Sequence, residues 1–216
     1  MKRLIIICEG ETEQEFCKDV LYQHFQNKDI YIETPLIKKS LGGIVPWEQI
    51  KNQILLHLNE KEVFVTLLID FYGIKDYHRF PKWDESKGIA DKIQKMIFLE
   101  QAMKEDISNH RFIAYIQLHE FEGLLFNNIA AFKNNIPQNE ITDLTTLEDT
   151  INLNPNPELI NDGPTTAPSK RLERLIKGYN KVVYGAILAT AIGLQNIRNK
   201  AVHFNDWITQ LENIQE

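Results

Sequence analysis

The stretch Ile5-Ile6-Ile7-Cys8-Glu9-Gly10-Glu11-Thr12-Glu13 decides how this chain folds. A short, continuous, β-branched run is the pattern of a strand buried on both faces. Here the run stops at a carboxylate, then a glycine, then two more carboxylates that open a helical pattern. Open α/β sheets gather their chemistry at the carboxyl ends of such strands. Acids clustered there would repel phosphate, so they do not form a phosphate cradle. They suit a hard divalent cation, which prefers carboxylate oxygens and bridges to substrate phosphates.

Working outward, residues 3–8 read as the first strand and residues 12–27 as an amphipathic helix. Thr12 is placed as its N-cap, with Glu15 at the capping-box spacing. Residues 30–37 form a second strand, Leu41-Gly42-Gly43 a loop, and Pro46 opens a helix over 46–59. Val63 to Ile69 is another continuous β-rich run, and it too ends in a carboxylate, Asp70. A polar, aromatic loop leads through Pro81 to a helix over 86–106. Arg111 to Leu118 gives a further strand, ending at His119-Glu120. Strands alternating with helices predict an α/β fold with a mainly parallel sheet flanked by helices. Parallel strands would bring Glu9, Asp70 and Glu120 to one edge.

After Phe126 the character changes. Residues 127–168 carry turn chemistry, including Asn154-Pro155-Asn156-Pro157, with one helix over 145–152. Residues 168–214 are helical in pattern over Ser169–Leu175, Tyr184–Ile192 and Phe204–Leu211. The expected organisation is an α/β domain over 1–127 and a loop-rich, then helical, C-terminal extension over 128–216 packed on it.

The chain has 216 residues, 43% of them apolar and 25% charged, which is ordinary globular composition. No apolar run reaches the roughly 20 residues that span a bilayer, so no membrane association is expected. Met1-Lys2-Arg3 and the apolar run after it lack the length and cleavage site of a signal peptide. Cys8 sits on a strand and Cys17 in a helix, so a disulfide is not expected and a reducing cytoplasm is the default location. A net charge of −6 argues against passive adhesion to nucleic acid. It is compatible with a nuclease, because metal ions supply positive charge at the site. The cations Lys170, Arg171, Arg174, Lys177, Lys181, Arg198 and Lys200 fall in the last quarter of the chain.

Several motifs match a known pattern. Glu9-Gly10-Glu11-Thr12-Glu13 resembles the E-G-x-T-E signature of Toprim-like domains, and Asp70-Phe71-Tyr72-Gly73 resembles their second acidic motif. The segments from His119 to Phe126, Pro168-Ser169-Lys170-Arg171-Leu172 and His203-Phe204-Asn205-Asp206-Trp207 resemble the bacterial family catalogued as domain of unknown function 4276. The resemblance spans nearly the whole chain. It implies a Toprim-like fold and Mg²⁺-dependent nucleic-acid chemistry; relatives of this group often sit beside ATPase genes in phage-defence loci. One departure stands out. Typical Toprim domains carry D-x-D, whereas Asp70 is followed two residues later by Tyr72. Either Glu120 or Glu122 replaces the second aspartate, or metal binding is weakened.

These readings assign Glu9, Asp70 and Glu120 as catalytic metal ligands, with Glu13 and Glu122 as further ligands to Mg²⁺ or Mn²⁺. Each has a plainer alternative. Glu9, Glu11 and Glu13 could be helix-start acids favoured by the dipole; Asp70 could cap a loop; His119 could be a buried structural histidine. Zinc is not expected, because neither His-x-x-x-His nor paired cysteine ligands occur. Lys170 is placed to neutralise developing charge, and Lys170, Arg171, Arg174 and Lys181, with Tyr179 beside them, to contact phosphates. Ser169 could equally be an N-cap below a solvated basic face. The segment from Lys38 to Gly43 is not a P-loop, so any ATPase is another chain. The expected function is a Mg²⁺-dependent endonuclease or nickase, with oligomerisation open. The alternatives are a non-catalytic subunit regulating an ATPase partner, or a hydrolase of small phosphate esters using the same site.

Overall fold

A computed structural model of the chain describes residues 2–38, 43–160, 163 and 165–214. The two apolar runs form the centre of a four-stranded, all-parallel sheet of order β2-β1-β3-β4. β1 (Lys2–Cys8) pairs with β2 (Ile30–Glu33) on one side and β3 (Val63–Leu68) on the other, and β4 (Phe112–Ile113) lies beyond β3. Because side chains alternate along a strand, β1 feeds two cores. Leu4, Ile6 and Cys8 face one, and Ile5 and Ile7 the other. The second core is closed by α3 (Trp47–Leu58) and α5 (Lys92–Ile107), through Ile50, Ile54, Leu99 and Met103.

The first core draws on both ends of the chain. Its helices begin with α1 (Glu11–Phe16), which continues through a π-helical turn, Cys17–Leu21, into α2 (Tyr22–Gln26). After the short α4 (Trp83–Ser86), the C-terminal half adds α6 (Ile129–Asn135), α7 (Leu144–Leu153) and α8 (Pro168–Leu175). It then adds α9 (Lys181–Ile192), α10 (Leu194–Lys200) and α11 (Val202–Glu212). Leu188, Phe204, Trp207 and Leu211 pack in the same cluster as Leu4 and Phe16. Trp207 donates its indole N–H to the Thr66 hydroxyl at 2.9 Å, satisfying the one polar side chain within the apolar strand β3. Tyr115 stacks on the Trp207 ring with centroids 4.4 Å apart.

Several boundaries differ from the sequence reading. The strand expected over 111–118 is paired only at Phe112–Ile113, then meets the residues after β3 in an isolated bridge at Asp70↔Gln117. Between these points the Ile116 amide bonds to the Glu100 carboxylate at 2.9 Å instead of to a strand. The strand expected over 30–37 breaks at Pro35, which has no N–H to give, and touches β1 again at Leu36. The helix expected over 86–106 starts later, at Lys92, with the Asp91 side chain accepting the Gln94 N–H. Thr12 is not the N-cap. Gly10 is, with the Glu13 carboxylate accepting its N–H at 3.0 Å, and Thr12 is buried against α9. The helices α6 and α10 lie where the sequence reading had none. The predicted Leu41-Gly42-Gly43 loop lies outside the described residues except for Gly43.

A buried acid–histidine network fastens α11 to this framework. The Glu158 carboxylate accepts the His203 and Phe204 N–H groups at 2.9 and 3.0 Å, and His203 Nε2 lies 3.0 Å from Glu100. Burial opposes charge on His203, but Glu100 outweighs it, and the imidazole is raised above its ordinary 6.5. A raised histidine stabilises the fold below its ordinary value and loses that contribution as pH climbs through the raised one. Urea unfolding should therefore show stability declining above about pH 6.5. His203→Gln should flatten that decline; equal slopes in parent and variant would exclude His203 as its source.

Candidate functional site at the carboxyl edge of the sheet

The β1–β3 register pairs Cys8 with Leu68, so the residues that follow each strand emerge side by side. The Glu9 N–H donates to Leu68 O at 3.0 Å, and Glu9 Oε2 accepts the Asp70 N–H at 2.9 Å. Asp70 Oδ1 in turn accepts the Phe121 N–H at 2.9 Å, which draws in the turn after β4. That turn depends on His119, whose φ of 66° is left-handed and whose carbonyl accepts the Tyr72 N–H. Histidine is among the few side chains enriched in that region. Gly73 comes close to Glu9. A Cβ there would lie 3.3 Å from Glu9 Oε1 and 3.2 Å from Ile44, so the Asp70-Phe71-Tyr72-Gly73 motif leaves room for the Glu9 carboxylate.

Four carboxylates converge at this edge: Glu9, Asp70, Glu13 and Glu122. Asp70, Glu13 and Glu122 are 6%, 3% and 0% exposed. Among the described residues, neither oxygen of Glu122 makes a hydrogen bond; Oε1 lies 3.1 Å from the Lys181 ammonium, and Oε2 has no partner. Lys181 also lies 3.9 Å from Glu13 Oε1. Burial, reinforced by Glu13 and Glu122, pushes Glu9 up from 4.5 to about 7, against the pull of the Asp70 amide and Lys181. Burial, then Glu13 and Glu9, holds Asp70 well above the usual carboxylate range. Burial also raises Glu122, with Lys181 opposing. Burial disfavours charge on Lys181, but Glu122, Asp70 and Glu13 outweigh it and hold the ammonium far above its ordinary range. The cluster opens to a cavity of about 510 Å³ lined by Glu9, Glu11, Glu13, Ile37, Lys181 and Val182, among others.

The remaining expected site residues lie elsewhere or have other partners. Glu120 accepts the Ser169 N–H at 2.9 Å and its hydroxyl at 3.1 Å, so it anchors the start of α8. Lys170 is ion-paired with Glu173 at 2.7 Å. Arg171 Nε donates to Thr166 O at 2.7 Å, and Arg174 Nε to Lys170 O at 3.3 Å. Lys181 is drawn to the acids rather than to a common basic patch. Tyr179 places a buried hydroxyl, without a hydrogen-bond partner among the described residues, under the influence of Glu122 and Glu120. Sequence reasoning missed the pairing of Lys181 with Glu122. The signal for it was the Asn180-x-x-Val183 cap, which starts α9 at Lys181 rather than at Tyr184.

The model of the family described as Domain of unknown function (DUF4276) matches residues 8–212. The chain belongs to that family. The match to DUF4276 takes in the acidic cluster, Lys181 and α11 alike. No curated protein and no solved structure matches the chain. Among the described residues of this DUF4276 protein, no three or more His, Cys, Asp or Glu side chains form a ready-made metal ligand set, and no helix is long and apolar enough to cross a membrane.

The raised Glu9 carboxyl has a consequence for stability. Its folded value lies above its unfolded one, so acidification from about 7 toward 4.5 favours the fold, and charge on Glu9 opposes the fold above that window. Glu9→Gln removes the charge and leaves an acceptor for the Asp70 N–H. In metal-free buffer the variant should be more stable than the parent at pH 8, by on the order of 3 kcal/mol. The two should converge near pH 4. Urea unfolding across pH measures this; a variant less stable at pH 8 would show that charged Glu9 stabilises the site.

Proposed function

We propose that the chain is a Toprim-like, Mg²⁺- or Mn²⁺-dependent nuclease that hydrolyses phosphodiester bonds in DNA or RNA. One observation carries this reading: four acids, two just after β1 and β3, one in α1 and one in the turn after β4, are held together in a buried setting with Lys181 among them. Buried charges are costly unless paired or bound to metal. The donor set fits a hard cation, being all oxygen, and Glu122 Oε2, without a hydrogen bond among the described residues, is an orphaned ligand atom. Glu9, Asp70 and Glu122 would hold the cation, with Glu13 alongside. When bound, such a cation polarises a phosphoryl oxygen and lowers the pKa of water. The chain's own part is positional. The Asp70 amide aims Glu9, Phe121 N–H aims Asp70, and Glu120 fixes the start of α8, with Lys170, Arg171 and Arg174 on that helix offered to the phosphate backbone.

Tyr72, standing where D-x-D has its second aspartate, favours a second reading: a non-catalytic Toprim-like subunit that regulates an ATPase partner in a phage-defence system. In either reading the protein works in the cytoplasm, and ATP hydrolysis belongs to a separate chain.

Isothermal titration with MnCl₂, together with cleavage assays on single-stranded DNA, plasmid and RNA, tests the proposal. Mn²⁺ should bind, and Glu9→Gln and Glu122→Gln should each cut cleavage by on the order of 100-fold. Glu120→Gln should keep Mn²⁺ affinity and lose thermal stability. Absence of Mn²⁺ binding favours the regulatory subunit. Turnover of free nucleotides but not polymers would reassign the site to small phosphate esters.

A further inference from the structure

Lys181 occupies an unusual position for a surface lysine. Its ammonium lies 3.1 Å from Glu122 Oε1 and 3.9 Å from Glu13 Oε1, two carboxylates that are otherwise almost wholly removed from solvent. It also acts on Glu9 and Asp70, so all four acids share Lys181 as a cation. The oxygens it faces have few competing partners. Glu13 Oε2 is engaged by the Gly10 N–H, leaving Oε1 turned toward the lysine, and Glu122 Oε2 is bonded to nothing among the described residues.

The side chain is also built to leave. Lys181 is the first residue of α9, and the helix start is fixed without it: the Asn180 side chain accepts the Val183 N–H at 3.1 Å. Its side chain is 43% exposed although its ammonium reaches the acids. The cavity of about 510 Å³ that it lines gives the head somewhere to go. A lysine stem is flexible and its ammonium a compact point charge that ligates no metal. Divalent cations need the same carboxylate oxygens that the ammonium now neutralises.

We propose that Lys181 is a resident counter-cation, occupying the carboxylate site until a divalent cation displaces its ammonium into the adjoining cavity. The inference rests on the metal-dependent reading above and adds a regulatory step to it. The lysine keeps the acids compatible with burial in the metal-free protein. Once displaced, it lies at the cavity mouth with a positive charge free for an anionic substrate. Metal loading and substrate contact are thereby coupled through one side chain, with no movement of α9.

Two measurements on the full chain test this, both with MnCl₂ as the probe. The first is Mn²⁺ affinity by titration in the parent and in Lys181→Met, which keeps the stem and removes the charge. Affinity should rise about tenfold in the variant, on the order of the 1.4 kcal/mol that a tenfold change represents. The second needs no variant and stands if Lys181→Met does not fold: acylation of lysines in the parent by an amine-reactive ester, read peptide by peptide. Lys61, exposed before β3 at the opposite end of the sheet, serves as reference. Mn²⁺ should raise Lys181 labelling several-fold relative to Lys61. If Mn²⁺ binds and Lys181 labelling stays level or falls, the displacement is overturned while the metal site stands. Unchanged or weaker Mn²⁺ affinity in a folded Lys181→Met protein overturns it equally. If neither protein binds Mn²⁺, the metal-dependent reading fails and this inference falls with it.

Discussion

The hydrogen bond from the Asp70 amide to the Glu9 carboxylate is the point on which the site depends. It exists because β1 and β3 are adjacent and parallel, in a register that ends both strands at the same height. Shifting one strand by a residue would turn its apolar set to the wrong core and send its acid to the other face. The two cores therefore specify the acid placement: the packing that selects the register also brings like charges together. Asp70 then passes the constraint on, since its own carboxylate holds Phe121 and so fixes where Glu122 enters.

Much of this was legible in the chain itself. Ile5 to Ile7 and Val63 to Ile69 could be read as central strands because continuous β-branched runs have few other uses, and a carboxylate closing each run could be read as a functional edge. Other features depended on contacts that leave no periodic trace. Glu120 and Glu122 differ by two positions in one motif, and only the docking of α8 shows that Glu120 is engaged by Ser169 while Glu122 faces the acids. The fourth strand read as longer than its pairing because Glu100, on another element, takes the Ile116 amide. The basic residues of α8 were visible as charges, but not their local partners, such as Glu173 for Lys170.

The site concentrates buried charge as no other part of the described residues does. Several buried polar groups elsewhere are answered: Thr66 by Trp207, Glu158 by two helix amides, and Glu100 by His203 and Ile116. At the carboxyl edge, among the described residues, four acids face the Lys181 ammonium and an oxygen of Glu122 is left without a hydrogen bond. Functional sites are where natural proteins break local rules and offset the cost elsewhere. Here the offset comes from two apolar cores that close independently on either face of the sheet.

The bond between Trp207 and Thr66 joins residues 141 positions apart, across the apolar face of the central sheet. Contacts of such long sequence separation form late, because a large loop must close before they repay it. During synthesis, β1 and β3 emerge well before α9 and α11, so one face of the sheet waits uncovered while more than half the chain is still to be made. Unpaired apolar strands in that condition are prone to associate with one another. Folding of this protein is thus a race between translation of its last helices and aggregation of its first strands, and yield on expression should respond more to slowed growth or added chaperone than to changes near the acidic edge.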